Sequence, residues 1–184
     1  MHRPPYPSDS SRATTAAESR FRLDRPNSRK RTIRIVALDP ASEDLAIGVA
    51  RDLTNASPLT LPAEARRSLA HLPKSLGGSG DAALDFRGLS PEGRAAVDAL
   101  TSADMVVMVT RAGDDASAAA FIAEACWPLG VATTGLVVAE NGDAEEAATS
   151  ETLRQLRPHA FILAVTTDLE FVDSLVQALA GGGA

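Results

Sequence analysis

The chain has 184 residues, a length that suits one domain and is short for two. Apolar types make up 45% and charged types 23%, the balance of a soluble globular protein, and no apolar run reaches the roughly 20 residues that a membrane-spanning helix requires. Cys126 is the single cysteine, which excludes an internal disulfide and a cysteine-rich zinc site, and the scattered His2, His71 and His159 do not form a metal-binding pattern.

The first segment differs in charge from all that follows. Residues 1–31 carry a net +5, whereas the rest of the chain carries −11. Rich in Arg, Ser and Pro and without apolar periodicity, residues 1–31 cannot bury enough surface to offset their ordering entropy, so they are expected to form a disordered basic arm. Three roles stay open for it: a solvated tail, a tether to an anionic surface such as nucleic acid, a membrane or the chain's own acidic domain, and a cleaved transit peptide. The lack of a secretory apolar core predicts a cytoplasmic location.

Residues 32–38 (TIRIVAL) predict a short buried strand, stopped by Asp39-Pro40. Ser42 is placed to cap a helix running through Leu45, Ile47, Val49 and Leu53. Pro58 and Pro62 then break the chain, residues 63–72 show a short helical pattern, and Gly77-Gly78-Ser79-Gly80 reads as a linker, since no Lys-Ser/Thr follows at P-loop spacing. Ser90-Pro91 opens a helix with an N-cap serine and a first-turn proline.

Met105 to Val109 is a continuous apolar run, expected for a strand covered on both faces. A loop over residues 110–115 is expected next, then an alanine-dominated helix over residues 116–129 ended by Gly130, and a strand over 131–139. An acidic-to-basic helix over 145–156, a strand over 160–165 and a helix over 170–179 complete the pattern, with residues 181–184 as a flexible tail. Nearly all-apolar strands alternating with helices predict a three-layer, Rossmann-like α/β domain over residues 32–180, with a mainly parallel sheet of four or five strands. Alanine occurs 34 times against seven aromatic residues, so the expected core is aliphatic and fine-grained.

The words Ser90-Pro91-Glu92-Gly93-Arg94, Ala103-Asp104-Met105-Val106, the loop at Thr110, the alanine-rich helix, and Leu129-Gly130-Val131-Ala132-Thr133-Thr134-Gly135 follow one another in an order and spacing that resemble the nucleotide domain of the tubulin/FtsZ family. Leu153 to Arg157 followed by Phe161 to Asp168 resembles that family's next helix and strand. The likeness covers about half the chain, with a weaker match over residues 33–53.

The departures from the pattern fall where the family holds phosphate. Its first glycine-rich loop reads here Leu38-Asp39-Pro40-Ala41-Ser42-Glu43-Asp44, without glycine and with three carboxylates that repel an anion. Its second phosphate loop reads Thr110-Arg111-Ala112-Gly113-Asp114-Asp115-Ala116-Ser117, with one glycine and two acids. Asp114 and Asp115 are expected to cap the following helix themselves. Asp168 matches the family's guanine-reading acid, with Thr167 in place of asparagine; as a residue in its own right it equally suits a cap for the last helix. The arginine-bearing segment has become the acidic stretch 140–146, and the family's long central helix and later catalytic loop have no counterpart in these 184 residues.

The resemblance therefore implies a degenerate GTPase frame used as an interaction or regulatory module, with a protein partner or self-association, no catalytic residue and no required cofactor. The alternative is a small GTP- or GDP-binding protein with a rebuilt site of Arg111, Gly113, Ser117 and Asp168. A Ser117–His159–Asp168 hydrolase triad lacks the G-x-S-x-G elbow. Cys126 reads as a buried small hydrophobe, and Trp127 as either core or partner surface.

Overall fold

The computed structural model describes residues 30–51, 53, 55–70, 89–139 and 145–180. Five strands, β1 (Ile33–Ala37), β2 (Ala56–Leu59), β3 (Met105–Arg111), β4 (Ala132–Val138) and β5 (Ile162–Thr166), form one sheet in the order β2-β1-β3-β4-β5. Every neighbouring pair is parallel, with Ile35 level with Val107, Val107 with Thr134, and Thr134 with Ile162. Helices α1 (Glu43–Ala50), α2 (Ala63–Ala70), α3 (Pro91–Thr101), α4 (Ala118–Cys126), α5 (Glu145–Leu156) and α6 (Leu169–Ala180) connect and cover the strands. Parallel neighbours cannot be joined by tight turns, so each crossover must pass over a face of the sheet.

Strand alternation sorts the core into two layers. Met105, Val107 and Val109 of β3 face a layer with Leu45 and Val49 of α1 and Val172 and Val176 of α6. Val106 and Met108 face the opposite layer, with Ala65 of α2, Val97 and Leu100 of α3, Ile122 and Cys126 of α4, and Leu156 of α5. This period of two explains why β3 is apolar at each of its first five positions. The helices approach closely where residues are small. At Gly135 of β4 a Cβ would lie 2.7 Å from Leu163 Cδ1 and 3.4 Å from the Ala160 Cβ, so the missing side chain is the space that Leu163 fills.

Several sequence expectations are met closely. Ser90 Oγ accepts from the Gly93 N–H at 3.0 Å, capping α3 as expected. Gly130, at φ +73°, ends the alanine-rich segment, whose last turn, Trp127–Leu129, is a 3-10 helix at Pro128. Others need correction. Thr110 and Arg111 belong to β3 and not to the loop, which begins at Ala112. The segment broken by Pro58 holds β2, where Pro58 lies level with Ile35. A proline is compatible with a strand at the sheet's border because one edge has no partner needing its N–H. Residues 1–29, the Gly77–Gly80 linker, the turn at 141–143 and the tail 181–184 lie outside the described residues.

The chain leaves β1 toward β2 on one side and leaves β3 toward β4 on the other. The crevice beyond the carboxyl ends of β1 and β3 is thus the topological switch point, where open parallel sheets place their ligands.

Candidate functional site

The β1 end of this crevice is shaped by Asp39-Pro40. Asp39 is only 7% exposed. Its Oδ1 accepts from the Ser42 N–H at 3.0 Å, capping the 3-10 turn Pro40–Ser42 that leads into α1. Its Oδ2 accepts from Thr110 Oγ1 at 3.1 Å, so one carboxylate ties β1's exit to the end of β3. Ser42, fully buried, accepts from the Arg111 N–H through Oγ at 3.2 Å and closes the same seam. Glu43 is drawn to Arg66 at 3.5 Å, and Asp44 is exposed in the first turn of α1.

Across the crevice, most of the backbone amides of residues 112–117 are bonded within the chain. Gly113 N–H donates to Thr152 Oγ1 at 3.0 Å, and Asp114 N–H to the Arg111 carbonyl at 3.2 Å. Ala116 N–H donates to Gln155 Oε1 at 3.0 Å, and Ser117 N–H to Asp115 Oδ1 at 2.9 Å. Gly113 is at φ +88°, so the turn itself requires this glycine whether or not a ligand is present. Thr152 and Gln155 stand one helical turn apart on α5 and are the polar pair that accepts from two amides of this loop. Sequence reading missed both, although two polar residues spaced i,i+3 beside Leu153 and Leu156 were the available signal.

The positive charges are held in the same way. Arg111 Nη1 donates to the Ala41 carbonyl. Arg66, also missed from sequence, donates to the Leu61 carbonyl at 2.8 Å and the Leu38 carbonyl at 2.6 Å, with Glu43 alongside. Each guanidinium therefore meets the chain's own carbonyls beside carboxylates.

Neither acid caps α4 as expected: Ser117 is the N-cap, without a side-chain cap bond, and Asp115 accepts the N–H and the hydroxyl of Ser117 itself. Asp114 turns elsewhere. Its Oδ2 is out of contact with solvent and has no hydrogen-bond partner, and its pKa is raised by burial first and by Asp39 second, against the opposing pull of Arg111 and a hydrogen bond with Ser42. A carboxyl held above its ordinary 3.8 binds its proton more tightly folded than unfolded, so its contribution to stability falls as pH rises through that window and stays lower above it. Asp114→Asn is accordingly expected to melt higher than the parent at pH 7, with the difference shrinking as pH falls toward the ordinary carboxylate range. Paired thermal melts across pH 3.5–7.5 check this; an equal or lower melting temperature for Asp114→Asn at pH 7 contradicts it.

Asp168 lies at the carboxyl end of β5, two strand spacings, or roughly 10 Å, from the end of β3. Its Oδ1 accepts from the Glu170 N–H at 2.8 Å and its own N–H donates to Thr166 Oγ1 at 3.0 Å, so it caps α6. Arg111, Gly113 and Ser117 are thus neighbours in one turn, and Asp168 stands apart from them. His159 follows α5 with its ring 6.5 Å from that of Trp127, remote in sequence and strand position from Ser117. Cys126 is fully buried, and burial pushes its thiol up to about 12, which removes it as a nucleophile near neutral pH. Among the described residues no group of three or more His, Cys, Asp and Glu is placed to hold a metal ion, and no helix is long and apolar enough to cross a membrane.

No family model matches the sequence, and no curated protein does. Among solved structures, the fold is similar to that of a pilus assembly-related protein from Burkholderia pseudomallei, with a TM-score of 0.41 and 11% identity over 83% of this chain and 90% of that one.

Proposed function

We propose that this chain is a non-catalytic interaction or regulatory module, built on an FtsZ/tubulin-like nucleotide-domain frame whose phosphate site the chain has filled with its own groups. The observation that carries the reading is the state of the switch-point crevice. The amides of Gly113, Ala116 and Ser117 are bonded to Thr152, Gln155 and Asp115, and the Asp39 and Asp114 carboxylates stand where a triphosphate would bring like charge. A phosphate could enter only by displacing these internal acceptors and facing both acids. The strand order β2-β1-β3-β4-β5 is the flavodoxin-like doubly-wound order, which shares with the Rossmann order a switch point beside β1 and is not specific to the FtsZ/tubulin frame.

The rival reading, a remodelled GTP or GDP site, needs Arg111 to leave the Ala41 carbonyl and Asp168 to leave the α6 amide it caps. Titration calorimetry of the full chain with GTP, GDP and ATP separates the two, and no binding heat is expected.

A further inference from the structure

The two borders of the sheet are built differently. β2 carries Pro58, a residue that blunts an edge. β5 reads Ile162-Leu163-Ala164-Val165-Thr166, with no proline, glycine or charge to discourage pairing. It also carries or adjoins exposed apolar side chains: Phe161 is 76% exposed, Ile162 42%, Val165 44%, and Trp127, beside Phe161, 44%. The Trp127 ring packs 6.0 Å from that of Phe161. Its Nε1 donates to Thr133 Oγ1 at 3.1 Å, and that hydroxyl donates to the His159 carbonyl at 2.8 Å. The aromatic pair is thereby held in place while still exposed, the arrangement of a preorganised contact.

We propose that the outer edge of β5 is the interface of a symmetric dimer, in which two copies of this chain pair their β5 strands antiparallel about a two-fold axis at Ala164. The proposal rests on the reading of the chain as an interaction module and adds its partner and surface. The Thr166 carbonyl turns inward, accepting from the Ala139 N–H at 2.9 Å. By alternation, Leu163 and Val165 turn their N–H and C=O groups outward, where an antiparallel neighbour would pair with them. Centring the axis on Ala164 sets Leu163 opposite the partner's Val165, with Phe161 on the diagonal to it, so the exposed side chains on that face cover one another.

Charge selects a second copy as the occupant. Arg157 is exposed at the amino end of β5, whereas Asp168 and Glu170 are exposed at its carboxyl end. A two-fold axis perpendicular to the strand brings each arginine to the partner's acids twice over, and a parallel arrangement sets like charges together. The same patch is thus complementary to itself, which is what an isologous interface requires.

Sedimentation velocity of the full chain tests this, with a concentration series from about 1 to 200 μM spanning the affinities expected of such an interface. A dimer is expected. Ile162→Lys, at an exposed edge position, should be monomeric with the parent's circular dichroism. Arg157→Glu should weaken the dimer about tenfold or more, and Arg157→Glu combined with Glu170→Arg should regain most of the loss. A parent that stays monomeric throughout, a folded Ile162→Lys variant that still dimerises, or a double variant no tighter than Arg157→Glu alone would each overturn the proposal. If Ile162→Lys fails to fold, the charge exchange decides. A monomer leaves the nucleotide-free reading standing, and nucleotide binding leaves the dimer standing, so the two fail separately.

Discussion

Leu136→Ala is expected to lower folding stability by about 2–5 kcal/mol, the largest effect of any substitution considered for this fold. Leu136 is fully buried in β4, level with Val109 of β3 and Ala164 of β5. It belongs to the layer in which Val49, Val172 and Val176 of the two covering helices meet the sheet. The neighbours are β-branched or small, and Val109 sits on a strand paired on both sides, so they have little freedom to collapse into the vacated space. Alanine, so common in this core, contributes packing without reach, and the few large aliphatic residues therefore carry an unusual share of the contact. Chemical denaturation with urea checks the value. A loss under about 1 kcal/mol would mean that the α1–α6 layer is looser than its burial implies.

Asp39→Ala is expected to cost about 1–3 kcal/mol, because one carboxylate serves two partners. Removing it uncaps the Pro40–Ser42 turn and takes an acceptor from two residues that are buried, Ser42 and Thr110. The same substitution removes a like charge from beside Asp114, which offsets part of the loss. Asp39→Ala and Asp114→Asn should therefore not be additive: the double variant should recover less than the Asp114→Asn gain measured in the parent, since Asp39 is one source of that gain. Denaturation of the four proteins at pH 7 closes the cycle. If Asp39→Ala is as stable as the parent, the acid is not a structural clamp, and its place in the crevice would need a ligand to explain it.

The fold was legible wherever one physical signal dominated. The apolar run at Met105–Val109 is typical of a strand covered on both faces, and Ser90-Pro91 carries the N-cap and first-turn proline of a helix start. The alternation of such segments leaves little besides a parallel sheet. β2 was missed because its four residues include Pro58 and its identity comes from pairing with β1, a tertiary contact with no local signature. Thr110 and Arg111 were placed in a loop because their polarity outweighed the continuing ladder to Val137 and Val138.

The site was legible in part. The carboxylates at Asp39 and Asp114 and the capping by Asp168 follow from residue type and position. What the sequence concealed is how the crevice is satisfied. Thr152, Gln155 and Arg66 lie far along the chain from the groups they bond, and only the packing of α5 and α2 brings them there. Asp114 was read as a cap because it adjoins Asp115, whereas the chain turns it toward Ser42 and Asp39 instead.

Calorimetric titration of the full chain with GTP and magnesium tests the central claim most directly. With the crevice amides engaged by Thr152, Gln155 and Asp115, the account predicts no binding heat at millimolar nucleotide. A saturable isotherm with a Kd tighter than about 100 μM, abolished by Asp168→Ala, would contradict it and establish a working nucleotide site.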